Sequence, residues 1–199
     1  MREVMRRIIH IGFGVVVLLF LYLLGKEGFE YAEAALFTFF ILGILIVDRK
    51  LKKRKIPLVD LLLEKVERPN VMPAHGAFWY GVGLLLIISF LDNVNYIYAS
   101  IAILAFGDGV ATLAGRYGKV NLFHNKNKTL EGSAAFFVAS SIAAYPFIGM
   151  TALPLSLICA LFESINLNFD DNLVVPLVCV VFFLLIRFNV VLNLLILLL

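Results

Sequence analysis

The sequence predicts an all-α polytopic membrane protein of about seven transmembrane helices, with a cytosolic N-terminus and a single integral-membrane domain over 1–199. Three observations predict it. Apolar residues make up 62% of the chain against 16% charged, and mean hydropathy is +0.97, more apolar surface than a water-soluble domain of 199 residues could hide. The apolar residues gather in runs close to the length of about 20 that spans a bilayer. Lysine and arginine collect in alternate gaps between those runs.

The runs lie at 8–24, 31–47, 75–91, 95–115, 133–149, 152–166 and 173–198. Barrel strands would be shorter and would alternate apolar with polar, so the runs predict helices. The fifth and sixth are nearly fused around Gly149-Met150-Thr151, and the seventh is interrupted by Arg187 and Asn189. The opening "MREVMRRIIH" with its apolar run imitates a signal peptide, and Ala32-x-Ala34 imitates its cleavage site. The polar "GKEGFE" separates the two and another run begins at once, so an uncleaved first helix is expected. Cys159 and Cys179 both sit in apolar runs and are expected to pack rather than to bridge or bind metal.

Orientation follows from the cations. Arg2, Arg6 and Arg7 precede the first run, and Arg49, Lys50, Lys52, Lys53, Arg54, Lys55, Lys65 and Arg68 fall in a basic loop, 48–74. Arg116, Lys119, Lys126 and Lys128 lie between the fourth and fifth runs, leaving only Lys26 and Arg187 elsewhere. These segments share one side, which the positive-inside rule makes cytosolic. The same topology brings "ESINLNFDDN", 163–172, to that side. Asp108, Glu131, Glu163, Asp170 and Asp171 are therefore expected to approach one cytosolic-face site.

Asp108 is the most informative residue. An aspartate in a lipid-spanning helix costs about 2.5–3.5 kcal/mol unless paired or solvated, so it usually faces a cavity, an ion or a proton path. Gly107 and Gly109 flank it and admit a ligand or another helix close to the backbone. Gly107, Ala111 and Gly115 are also spaced four apart, as a helix-packing face would be, and both readings can hold. The loop 116–131 reads as a nucleotide-sized anion site: Arg116, Lys119, Lys126 and Lys128 supply donors, Thr129 can cap the next helix, and Glu131 and Gly132 open it. Carboxylates holding a divalent cation such as Mg2+ beside bound polyphosphate is the usual arrangement for phosphoryl transfer.

Each motif has a plainer reading. Basic residues can simply set topology or meet anionic headgroups, which accounts for "DRKLKKRK" at 48–55 but less well for the glycine- and carboxylate-framed 116–131. "NFDDN", 168–172, is either a ligand set or a solvated helix start. His10 and His75 are ambiguous between packing and site, and Arg187 between an ion pair and the outer interface. No phosphate loop of the G-x-x-x-x-G-K-[ST] type, no kinase-type G-x-G-x-x-G and no zinc-spaced Cys/His set occurs, and nothing points to nucleic acid as a partner.

At "GDGVATLAGRYGK" followed by "NKTLEGS" the chain resembles the CTP-dependent lipid kinases, the family of dolichol kinase, phytol kinase and the yeast-type diacylglycerol kinase. "RRIIH", "ERPNVMPAHGAFWYGVG" and "DDNLVVPL" extend the resemblance over most of the chain, which brings Arg7, His10 and His75 into consideration. The resemblance implies phosphoryl transfer from CTP to a polyprenol, a phytol-type alcohol or diacylglycerol, with a divalent metal. It implies a catalytic or metal-linked Asp108, phosphate contacts from Lys119, Lys126, Lys128 and Thr129, and a polar site completed by Glu131 and Asp171-Asn172; the expected metal set is Asp108, Asp170, Asp171 and Asn172, with Glu163 a further candidate. Arg116 and Gly107, Gly109 and Gly132 fall within the nucleotide-facing motifs.

Phosphatidate cytidylyltransferases share the G-D aspartate and a K-T-x-E-G element but add a downstream P-G-H-G-G-x-x-D-R-x-D-type motif; "NLNFDDNLVVP" stands in its place, which favours the kinase. A transporter lined by Asp108, Glu163 and Arg187 is the reading from another class. The expected setting is the cytoplasmic membrane, or the endoplasmic reticulum in a eukaryote, with small-residue faces that could serve a homodimer.

Overall fold

A computed structural model describes residues 2–52, 54, 56, 75–167 and 169–188, and among these the chain is helical apart from the loop 116–129 and short connections. Most of the predicted basic loop 48–74, and the end of the last run beyond 188, lie outside the described residues. Helix covers the described part of every predicted run to within two residues. Among the described residues, four segments are long and apolar enough to cross a membrane: Val4–Gly25, Glu27–Ile46, Val94–Gly115 and Leu130–Ser164, with His75–Phe90 a shorter apolar helix.

Two glycines turn long helical stretches into hairpins. In α1 (Arg2–Leu51), Gly25 has φ 58° and ψ −134°, left-handed backbone that glycine adopts without a Cβ penalty. Below it Gly14 packs against Ala105, and Leu21 accepts a hydrogen bond from the Tyr98 hydroxyl (3.3 Å). Above it the chain returns, with Glu33 near Ser89 (3.4 Å) and Phe40 edge-on to Phe78 (5.4 Å between centroids). Gly149, at φ 57°, does the same between α5 (Leu130–Ile148) and α6 (Ala152–Ser164), through a single tight turn Gly149–Thr151. A straight helix over that stretch would be about 50 Å long. Instead Ser164 returns beside the loop that precedes α5, where its carbonyl accepts from Asn125 Nδ2 at 3.0 Å.

The fourth run departs from a uniform helix. It is α3 (Val94–Ala102) and α4 (Asp108–Gly115) joined by a widened π-type turn, Ile103–Gly107. Such turns displace the helix by one residue and recur beside functional groups. This one ends immediately before Asp108, and its Leu104 carbonyl faces His10 Nε2 at 3.2 Å.

Small residues set the seams, as the four-residue spacing predicts. A Cβ on Gly107 would lie 2.8 Å from the Phe136 ring, and one on Gly132 would lie 3.1 Å from both the Ala111 carbonyl and Gly115 Cα. α2 (His75–Phe90) and α7 (Asp171–Arg187) run parallel: Gly76 meets Asn172 at one end, and Asp92 pairs with Arg187 at the other. Arg187 is thus an exposed ion-pair partner, remote from Asp171. Cys159 and Cys179 are buried and free, with sulfurs 3.7 Å apart, as packing residues of α6 and α7.

Gly107→Ala is expected to cost about 1–3 kcal/mol, because Phe136 has no room to move. A lowered unfolding midpoint in detergent checks this, with Gly43→Ala, where nothing lies within 4 Å of an added Cβ, as the control expected to show little change.

Candidate functional site

Asp108 opens α4 with only 1% of its surface exposed. An ionised carboxylate there requires a partner, and the antiparallel packing of α1 supplies one: the Arg7 guanidinium donates to Oδ2, and His10 Nε2 lies 3.6 Å from the same oxygen. Gly109 permits that approach, since a Cβ there would sit 2.5 Å from Ile11 Cγ1. Gly107, Gly109 and Gly132 all therefore serve helix seams around the aspartate.

Two more carboxylates arrive from other helices. Glu163, 2% exposed, is the second-last residue of α6, and Asp171 is the first of α7. Asp108, Glu163 and Asp171 each offer an oxygen within 4.8 Å of the others. Lys128 joins them, its Nζ donating to Glu163 and to Asp171 Oδ2 (2.8 Å). Burial draws the Lys128 ammonium down, but the Glu163 and Asp171 carboxylates outweigh it and hold the group above its ordinary value of 10.5. Lys128 therefore stays charged through neutral pH, and its own contribution to the pairing is lost as pH rises through that elevated value.

The centre is only partly satisfied. Among the described residues, Asp108 Oδ1, Glu163 Oε2, Arg7 Nε, the Tyr80 hydroxyl and Asn172 Oδ1 are buried without a hydrogen-bond partner. Buried polar atoms are normally paired, and the buried hydroxyls of Ser133, Ser141 and Ser156 are unpartnered as well.

The loop 116–129 is a docked hairpin-like turn. Leu122 N donates to the Lys128 carbonyl (3.0 Å), Leu130 N to Val120 (2.8 Å), and Lys128 N to Asn125 (3.0 Å). Asn125 also accepts from Asn127 N at 3.1 Å, and His124 Nε2 lies 3.2 Å from the Ser164 hydroxyl. These bonds pin the loop to the end of α6, so that Lys128 reaches Glu163. Thr129 caps α5 through Gly132 N (3.2 Å). Arg116, Lys119 and Lys126 remain exposed around this anchored frame.

The convergence expected of five acids is thus reached by three. Glu131 is exposed and accepts from the backbone N–H of Lys119 (2.8 Å) and Val120 (3.3 Å), bracing the loop. Asp170 caps α7, accepting from Asn172 N (3.0 Å), and lies 3.5 Å from His75 Nδ1. The Trp79 indole donates to His75 Nε2 (3.1 Å), leaving Nδ1 as the donor toward Asp170. Asn172 reaches the Gly76 carbonyl at 3.4 Å. Of the expected metal set Asp108, Asp170, Asp171 and Asn172, the structure brings Asp108 and Asp171 together with Glu163, while Asp170 and Asn172 make the contacts just described. Asn125, Ser164 and Tyr80 escaped the sequence reading; only the Asx-turn chemistry of "HNKNK" signals the first of them.

The described residues thus form an apolar helical bundle with a buried carboxylate cluster and a cationic loop at one end. No family model matches the chain, and no solved structure matches it. Individual proteins do. A phytol kinase of Synechocystis sp. is 32% identical over 190 residues, covering 88% of this chain and 76% of that protein. An uncharacterised protein of Methanocaldococcus jannaschii is 31% identical over 180 residues, covering 89% of this chain and 91% of its own. The CTP-dependent diacylglycerol kinase 1 of Saccharomyces cerevisiae is 25% identical over 214 residues, covering 90% and 72% respectively. The chain belongs to the CTP-dependent lipid kinase family.

Asn125→Ala should release the loop by leaving the buried Ser164 carbonyl unpaired, a loss of about 1–3 kcal/mol. Hydrogen exchange of the amides of Leu122 and Lys128 should accelerate together, with α3 and α4 unaffected.

Proposed function

We propose that this protein transfers the γ-phosphate of CTP to the hydroxyl of a membrane lipid alcohol, a polyprenol, a phytol-type alcohol or diacylglycerol, at the cytosolic face. The reading is carried by one observation: three carboxylates from separate helices meet within 4.8 Å beside a docked basic loop, two of them buried and each with an orphaned oxygen. The names of the relatives, a phytol kinase and a CTP-dependent diacylglycerol kinase, support lipid alcohol and CTP as the two substrates. In this reading all seven predicted runs cross the membrane, which is consistent with Arg7, His75, Lys128, Glu163 and Asp171 sharing one end of the bundle.

The orphaned oxygens of Asp108 and Glu163 fit a hard divalent cation, and with Asp171 they would hold Mg2+. Such an ion would supply positive charge to offset the negative charge developing on the leaving group. The chain's own residues do the rest. Arg116, Lys119 and Lys126 are free of the centre and meet the triphosphate from the water side; Arg7 holds the Asp108 carboxylate in place. The lipid hydroxyl attacks the γ-phosphorus, the bond to the β-phosphate oxygen breaks, CDP departs, and the hydroxyl proton passes to a carboxylate of the centre or to water. Positioning and charge neutralisation supply most of the acceleration.

Purified protein with γ-labelled CTP, Mg2+ and a panel of prenols and diacylglycerol should yield a labelled phospho-lipid and CDP. Asp108→Asn should lower the rate at least about 100-fold, and chelation should abolish it. Pyrophosphate release with a CDP-lipid product would identify a cytidylyltransferase instead; no transfer and no CTP binding would remove the enzymatic reading.

A further inference from the structure

The ammonium of Lys128 is bonded to two of the three carboxylates that would hold the cation, Glu163 and Asp171, while Arg7 holds the third, Asp108. Charge accounting makes this arrangement informative. With all three ionised and His10 neutral, the carboxylates facing Arg7 and Lys128 carry a net charge of one negative, a weaker draw for a divalent ion than the cluster has once Lys128 leaves. Without Lys128 the same cluster carries two negative charges, the complement of such an ion. The neighbouring acid, Asp170, is engaged with His75 and the α7 N-terminus and does not alter the count.

The two cations differ in what holds them. Arg7 projects from α1 inside the bundle, packed one turn from His10 and Ile11. Lys128 lies at the rim of the basic loop, and its own backbone is tied on both sides: its N–H donates to Asn125 and its carbonyl accepts from Leu122. Its side chain can therefore swing on a fixed backbone, and lysine's flexible four-carbon stem suits that movement better than a planar guanidinium does. Arg116, Lys119 and Lys126 of the same loop are exposed, and a triphosphate bound there would draw the Lys128 side chain outward.

We infer that Lys128 couples nucleotide binding to metal binding: its side chain exchanges Glu163 and Asp171 for the triphosphate of CTP and so releases both carboxylates to the cation. This rests on the proposed CTP-dependent reaction, but it assigns Lys128 a role that a lysine serving only as a phosphate contact lacks. Cation and nucleotide then favour each other's binding, as linkage requires.

The test uses full-length protein in detergent and two separate titrations, so that complexes of metal with free CTP do not intrude. Mn2+ alone, followed by its electron paramagnetic resonance signal, should bind Lys128→Met about tenfold more tightly than wild type. CTP alone, in chelator, should bind the same variant about tenfold more weakly. Lys128→Arg should keep Mn2+ affinity near wild type. Weaker binding of both ligands by Lys128→Met would mean a structural role, and unchanged Mn2+ affinity would mean a phosphate contact only; either overturns the coupling. Should Lys128→Met not fold, wild type suffices: acetylation of Lys128, mapped by mass spectrometry, should rise with saturating Mn2+ and fall with CTP. Unchanged labelling with Mn2+ overturns the inference. Wild type that binds neither Mn2+ nor CTP would overturn the proposed reaction as well.

Discussion

The ion pair between Asp108 and Arg7 is the contact on which the rest of the arrangement depends. A carboxylate with 1% of its surface exposed, at the end of an apolar helix, is tolerated only if a cation comes to it. Meeting that condition sets the register of α1 against α4 and explains why Gly109 and Gly14 stand where α1 crosses. It also accounts for the neighbourhood of the widened turn, where His10 bridges the Leu104 carbonyl and the Asp108 carboxylate. Packing and electrostatics are not separable here: the small residues that let helices touch are the ones that let the charges meet.

Once Asp108 is placed, the other acids raise a second problem. Glu163 and Asp171 bring like charge toward it, and burial penalises each further ionised group. Lys128 offsets this, and the loop is built to deliver it. Asn125 fastens the turn to Ser164, one residue from Glu163, so the lysine is positioned by hydrogen bonds rather than by chance encounter of a long side chain. The same economy appears at Glu131 and Asp170, whose carboxylates are spent on backbone N–H groups of the loop and of α7. These two acids shape the site without joining its centre.

Much of this was legible in the chain. The described part of every apolar run is helical to within two residues, because a membrane segment writes its length directly into composition. The break at Gly149 was visible as a pause between two short runs. The grouping of acids at one end followed from alternating basic gaps. Which acids touch was not legible: a capping aspartate and a ligand aspartate stand side by side as Asp170 and Asp171, and only side-chain direction separates them. Glu163 stood out as an acid within an apolar run, and that apolar setting is what buries it.

By itself, the sequence determined the helical membrane architecture, the shared end of the charged segments and the family to which the motifs belong. These properties depend on composition and order along the chain, which one dimension records. The tertiary structure alone decided that Glu163 joins Asp108 and Asp171, that Lys128 bridges two of the three, and that Glu131 braces the loop. Those outcomes turn on distances of a few ångströms between helices far apart in sequence. The hairpins at Gly25 and Gly149 and the glycine-lined seams set those distances, and no local pattern encodes them.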